Sequence, residues 1–275
     1  MRPAIRAAVP AVALVLAVAA CSTQPPAERP ARGPAASPGG AATPGKPWTG
    51  DGAAATLRAV LTTPTDIDLS WRGGDSGASG HVLEFATEEA GPYTVLQYLP
   101  PGVTTYRHPD LMPRTTFFYR LRTFDGPASA PVDVSLPPGE LTTEDQESNH
   151  DWLPPRRDPG RSATGRPVRD GGAAAPSGLK AVVKHANGIL FTWTDRASDE
   201  EGFLLEARTR GSSAYAPVAV LDPDINSCGL ITLPTEKRAA YRVRAFAYGA
   251  RSNVPRLTTG EQAADQREGE APSGP

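Results

Sequence analysis

From Ile67 to Trp71 the chain is apolar at every second position, with Asp68 and Ser70 between, and Tyr119 and Leu121 alternate in the same way with Arg120 and Arg122. Successive side chains of a strand point to opposite faces, so this period of two predicts strands with one face inward and the other in water. The apolar runs are short, recur at roughly ten-residue spacing and are bounded by Gly, Pro, Asp and Ser, a rhythm that predicts an antiparallel β-sandwich. No helix is required beyond residue 20.

The chain also repeats itself. At a constant shift of 122 residues Leu57 meets Leu179, Ile67 meets Ile189, Trp71 meets Trp193, Tyr93 meets Tyr215 and Leu111 meets Leu233. The run GHVLEFAT from Gly80 meets GFLLEART from Gly202, and FYRLRTF from Phe118 meets AYRVRAF from Ala240. One shift holding over this length predicts two homologous units, residues 53–136 and 176–258. The segment 137–175 between them is acidic in its first half and basic in its second, and is expected to be a flexible spacer. Residues 259–275 are expected to form a disordered tail.

The paired residues resemble the fibronectin type III family, an immunoglobulin-like fold. The family's second-strand tryptophan is matched by Trp71 and Trp193, the leucine ahead of its sixth strand by Leu111 and Leu233, and its tyrosine-corner residue by Tyr119 and Tyr241. The stretch WTDRASDEEGFLLEAR from Trp193 resembles the form found in bacterial members. The resemblance implies that these six residues are structural core. It implies an all-β class with two antiparallel sandwiches. The long, disordered linker expected between them departs from the family's tandem arrays, so no fixed angle between the sandwiches is expected. The resemblance further implies binding modules or spacers rather than catalysts.

The N-terminus places the protein in the cell. MRPAIR is basic, AAVPAVALVLAVAA is an apolar run of 14 residues, and Cys21 follows small residues. That order is an export signal over residues 1–20, and the run is shorter than the ~20 residues a spanning helix needs. Val18-Ala-Ala-Cys21 resembles a bacterial lipobox, in which the cysteine thiol takes a diacylglyceryl group, so Cys21 is the expected lipid-attachment residue and the outer face of the bacterial cell membrane the expected location. Residues 21–52 are rich in Pro, Ala and Gly and are expected to form a tether. With 30 prolines, 27 glycines and 7% aromatics, the composition suits small β domains separated by open chain. A net charge of -2 gives no attraction to nucleic acid, which is excluded as a partner.

Candidate chemistry is sparse. GDSG at Gly74–Gly77 resembles the nucleophile loop of trypsin-like proteases, but His81, His108, His150 and His185 all follow Ser76, whereas those enzymes place the histidine first. A turn that selects Gly, Asp and Ser accounts for it. The four histidines are too scattered for a metal site and are expected at strand or turn edges. Asp195, Asp199, Glu200 and Glu201 read as a surface turn, with weak calcium binding as the minor alternative. Glu84 and Glu206 are expected to pair across strands, in the open, with Arg120, Arg122, Arg242 and Arg244. Cys228, which takes the place of Tyr106, is expected to be buried. Trp48 and Trp152 fall outside both units and are the candidate ligand contacts, or else dock on the domain that follows.

These readings predict no catalytic residue, no metal and no cofactor. They describe an exported, lipid-anchored, monomeric module that binds, adheres or scaffolds towards an envelope protein or polysaccharide; the alternative is an accessory subunit of an extracellular glycoside or protein hydrolase.

Overall fold

The computed structural model describes residues 53–139, 142–147 and 149–261; the export signal, Cys21, the 21–52 segment with Trp48 and the chain beyond 261 lie outside the described residues. The first copy contains β1 (Ala55–Leu61), β2 (Ile67–Gly73), β3 (Gly80–Ala86), β4 (Thr94–Leu99), β5 (Thr105–His108), β6 (Thr116–Asp125) and β7 (Val132–Ser135). A short helix, α1 (Thr143–Glu147), and β8 (Ser162–Arg166) precede the second copy, which contains β9 (Ser177–His185), β10 (Gly188–Ala197), β11 (Gly202–Thr209), β12 (Ala216–Leu221), β13 (Ser227–Ile231), β14 (Arg238–Arg251) and β15 (Arg256–Thr258).

In each copy a smaller sheet, of three strands in the first copy and four in the second where β8 joins, faces a second antiparallel sheet. The first copy pairs β1 with β2 and β2 with β5, against β4–β3–β6. The second pairs β9 and β13 with β10, against β12–β11–β14. Alternation explains why these residues are strands: Ile67, Leu69 and Trp71 are buried while Asp68 and Ser70 between them are not. Trp71, Leu111 and Tyr119 share one core with Leu57, Leu83 and Leu121. Trp193 and Tyr241 share the other with Ile189, Phe203 and Val243, and Cys228 is buried there as expected.

The two sandwiches trade their last strands. β7 follows β6 in the chain but pairs with β14 of the second copy, while β15 follows β14 but pairs with β6 of the first. Between these exchanges β6 and β14 run antiparallel to each other, Ala247 opposite Asp125 and Tyr248 opposite Phe124. Ala247 and Asp125 are repeat equivalents, so a local two-fold relates the copies there. The exchange joins the second sheets of both sandwiches into one sheet of eight strands. Serines clasp each crossing in the same way: Ser129 N–H donates to Val243 O at 2.7 Å, and Ser252 N–H donates to Leu121 O at 2.8 Å. Gly126 is required at the crossing, because a Cβ there would lie 2.0 Å from Ala245 O. A third apolar cluster, Val82, Tyr98, Phe124, Leu204 and Phe246, fills the seam, where the hydroxyls of Tyr98 and Tyr248 lie 2.5 Å apart. The copies are therefore not independent units on a spacer, and the expected free angle between them is corrected.

The segment 137–175 departs from expectation as well. Its described residues carry α1, a 3-10 turn at Pro159–Arg161, β8 and a second 3-10 stretch at Val168–Ala174. β8 pairs in parallel with β10, Arg156 N–H donates to Ser227 O at 2.8 Å, and Val168 and Ala174 are buried. Polar composition concealed this because the segment buries few side chains and is held mainly through backbone hydrogen bonds, which carry no residue signature. The tail is also pinned at its start: Thr259 is buried and donates its hydroxyl to Met112 O at 2.6 Å.

Leu233 is a further correction. Leu111 is buried at 7% exposure, whereas its repeat mate Leu233 is 45% exposed. Pro234–Glu236 form a 3-10 turn whose Glu236 carboxylate accepts from Leu233 N–H at 2.9 Å, and this cap turns the leucine away from the core. The tyrosines diverge at the same place. Tyr241 donates its hydroxyl to Glu236 O at 2.7 Å, while the Tyr119 hydroxyl meets His108 Nδ1 at 3.1 Å.

Candidate functional site

The loop between β10 and β11 is only in part the surface turn that its acidity suggested: Asp199 and Glu201 are exposed, Asp195 and Glu200 are not. Asp195 is 3% exposed and Glu200 9%, because β10 carries Asp195 inward and Glu200 folds back beneath the β12–β13 connection. Asp224, on that connection at φ 65°, completes a cluster in which one carboxylate oxygen from each of Asp195, Glu200 and Asp224 lies within 4.8 Å of the others. Asp195 Oδ1 accepts from Ala197 N–H at 3.0 Å, and Glu200 Oε1 from Asp224 N–H at 3.1 Å. Glu200 Oε2 is buried without a hydrogen-bond partner among the described residues. Arg157, from the segment between the copies, reaches Asp224 Oδ2 at 3.2 Å. Burial raises the Asp195 carboxyl to about 6, and the negative charges of Glu200 and Asp224 add to the shift. Asp199 points elsewhere and accepts from Val168 N–H at 2.6 Å. Asp224 escaped the sequence reading because it lies far along the chain in an unremarkable Asp-Pro-Asp turn.

The first copy supplies an internal control. The positions 122 residues before Asp195, Glu200 and Asp224 are Gly73, Ala78 and Gly102, none with a functional group. Here the GDSG loop closes as a turn, with Asp75 Oδ1 accepting from Gly77 N–H at 2.8 Å and Asp75 O from Ala78 N–H at 3.2 Å. Ser76 and His81 do line a common cavity of about 260 Å³ beside Trp71. His81 is nonetheless no base for Ser76, since neither ring nitrogen has a hydrogen-bond partner among the described residues. Nor is His81 at a strand edge: it is buried, stands where the second copy has Phe203, and burial lowers its pKa. His108 is likewise lowered by burial, to about 4.

Glu84 and Glu206 pair across strands with three of the four expected arginines, but under cover; Arg122 instead lies over the Tyr248 ring, 3.8 Å from its centroid. Arg120 meets Glu84 at 2.6 Å, and Arg242 and Arg244 meet Glu206 at 2.5 and 3.1 Å. Glu84 and Glu206 are buried because Tyr93 and Tyr215 roof the pairs, each ring 3.9 Å from the guanidinium of Arg120 or Arg242. Trp152 docks on the second copy: its ring is 5.4 Å from that of His185, which in turn is 5.9 Å from that of His150. The indole covers Gly188 and Gly229, where any Cβ would collide with it. Its exposure is intermediate, so it remains a packed residue with one accessible edge. A larger groove of about 470 Å³, beside Leu136 and Pro137, presents Arg210, Lys237 and Arg238.

The strand order and the two filled cores define the class, an all-β protein of antiparallel sandwiches. No family model matches the chain, and no curated protein does. Among solved structures it is similar to an Fn3-like protein from Clostridium thermocellum, at 26% identity over 26% of this chain and 75% of that one, with a TM-score of 0.24. It is similar also to a computationally redesigned β-sandwich protein, at 20% identity over 25% of this chain and 72% of that one, with a TM-score of 0.22. Each match spans about a quarter of the chain.

Proposed function

We propose that this is an exported, lipid-anchored protein of the bacterial cell surface, built from two fibronectin type III-type sandwiches, that binds or scaffolds an envelope protein or polysaccharide without catalysing a reaction. The observation that carries the reading is the joined sheet. Exchange of β7 and β15 makes the two copies one extended unit, so that surfaces on both copies are offered to a partner in fixed relation. A partner gripping both gains by effective concentration, whereas freely jointed copies spend part of that gain on ordering. The lipobox-like run before Cys21 supplies the anchor, and residues 22–52 hold the sandwiches away from the lipid.

The test begins with fractionation of cells producing the full chain or its Cys21→Ala variant. The wild-type chain is expected in the membrane fraction and the variant in the soluble one; equal membrane retention of both removes the anchor. Capture from solubilised envelope is then expected to yield a saturable partner. Retention of a hydrolase would redirect the reading to an accessory subunit, and hydrolysis by the chain itself that is lost in Ser76→Ala would overturn it.

A further inference from the structure

We infer that the second copy holds a calcium-sized divalent cation between Asp195, Glu200 and Asp224. Burying a carboxylate is costly unless it is paired or coordinates a metal. Here two buried carboxylates face each other, and Glu200 Oε2, wholly covered, has no donor among the described residues. The first copy shows that the fold does not need such an arrangement: the same three positions are Gly73, Ala78 and Gly102. The carboxylates are present together in one copy and absent together from the other, as members of one site would be.

Chemistry and size select the ion. All three ligands are hard oxygens, with no histidine or thiolate among them, which favours calcium or magnesium over zinc or copper. Calcium–oxygen distances of about 2.3–2.6 Å allow ligand atoms of one ion to stand up to about 5 Å apart, so three oxygens within 4.8 Å of one another can share it. Calcium also tolerates the irregular, protein-built coordination that three carboxylates offer, whereas magnesium demands a near-ideal octahedron and keeps several waters. Charge agrees: three carboxylates less the positive charge of Arg157 on Asp224 leave two negative charges for one divalent cation. An ion there ties the β10–β11 loop to the β12–β13 connection, two turns otherwise joined through the hydrogen bond from Asp224 N–H to Glu200.

The probe is Ca²⁺ alone, added to the full chain after chelator treatment, with binding followed by calorimetry and by thermal melting. The affinity expected is that of extracellular modules, a Kd of about 0.1–1 mM. Calcium at about ten times Kd should then shift the folding equilibrium about tenfold and raise Tm by a few degrees. Glu200→Gln and Asp195→Asn, nearly isosteric, should abolish both signals while still melting cooperatively in chelator, and Asp75→Asn in the first copy should leave both intact. Should either buried variant fail to fold, Asp224→Asn on the half-exposed turn should weaken binding at least about tenfold. No saturable heat or Tm shift in the wild-type chain up to about 10 mM, an order above that affinity class, overturns the site. So does a response that survives in Glu200→Gln or Asp195→Asn.

Discussion

Arg244 of the second copy donates through Nη1 to Ser79 Oγ of the first at 2.7 Å and holds Glu206 of its own copy through Nε at 3.1 Å. The same guanidinium reaches Gly126 O, and Ser79 in turn donates to Asp125. One buried cation thus satisfies acceptors from both copies where their strands cross. Removing one member of a buried charged network leaves the remainder desolvated and uncompensated. Arg244→Met is expected to destabilise the chain by about 3 kcal/mol, read as a fall in the chemical-denaturation midpoint. Arg242→Met, whose charge stands nearer the surface, should cost less, because Arg244 still neutralises Glu206. Equal losses in the two variants would remove the crossing role.

The strand exchange makes a sharp topological prediction. Asn253 and Ser252 lie beyond the second copy's sixth strand, yet Asn253 Oδ1 accepts from Leu57 N–H at 2.8 Å and Ser252 Oγ from Leu121 N–H at 2.9 Å, both in the first copy. Ending the chain after Arg251 should therefore strip the β15 edge from β6 and accelerate amide exchange in β1 and β6. Exchange in β10 and β11 should stay slow. Faster exchange confined to the second copy would mean that the strands are not traded.

His81 occupies an apolar site where the repeat has phenylalanine, with both ring nitrogens unsatisfied among the described residues. An unsatisfied buried polar group costs about 1–3 kcal/mol. His81→Phe should raise stability by about 1 kcal/mol at neutral pH, and by more below the ordinary histidine pKa, since the buried imidazole resists protonation. Because its folded-state pKa is depressed, wild-type stability falls as pH drops through about 6.5, and the phenylalanine variant should lose that part of the slope. Denaturant melts of both proteins from acid to neutral pH measure it.

Asp195 has the opposite sign. Its pKa is raised to about 6 by burial and by Glu200 and Asp224, with Arg157 opposing. The native state then holds a proton that the unfolded chain has already released, so without metal stability declines as pH rises from about 4 to about 6 and is level beyond. Over that window the shift corresponds to about 3 kcal/mol. The stability of Asp195→Asn relative to wild type should grow across it in chelator, since asparagine can still accept from Ala197 N–H and carries no charge. A constant difference from pH 4 to 7 would show that Asp195 is not held in its neutral form.

Ser76→Ala should change stability by no more than about 0.5 kcal/mol, the usual range for a surface substitution away from special features. The turn it occupies is held by Asp75 rather than by the serine hydroxyl. A thermal melt of the variant checks this directly.

Much of the architecture was legible in the residues themselves. Alternation at Ile67, Leu69 and Trp71 located strands, and the shift of 122 carried each strand of the first copy onto the second: β4 at Thr94–Leu99 and β12 at Ala216–Leu221 stand in that register. Both signals survive because they are local, set by the two-residue pleat and by copied side chains. The candidate cation site was only half legible. Asp195 and Glu200 showed as acidic residues, but their burial did not, because it depends on which side of a loop the body of the sandwich lies.

The sequence by itself determined the strands, their inward faces and the existence of two equivalent cores, since each follows from periodicity within a few residues. Tertiary structure alone decided that β7 and β15 change partners, that segment 137–175 packs on the second copy, that Leu233 turns outward and that Asp224 meets Asp195 and Glu200. A last strand carries the same alternation whichever copy it completes, because β6 and β14 offer equivalent edges. The choice between them rests on long-range geometry: the glycine-permitted close approach at Gly126, the Arg244 network and the apolar seam around Phe124 and Phe246.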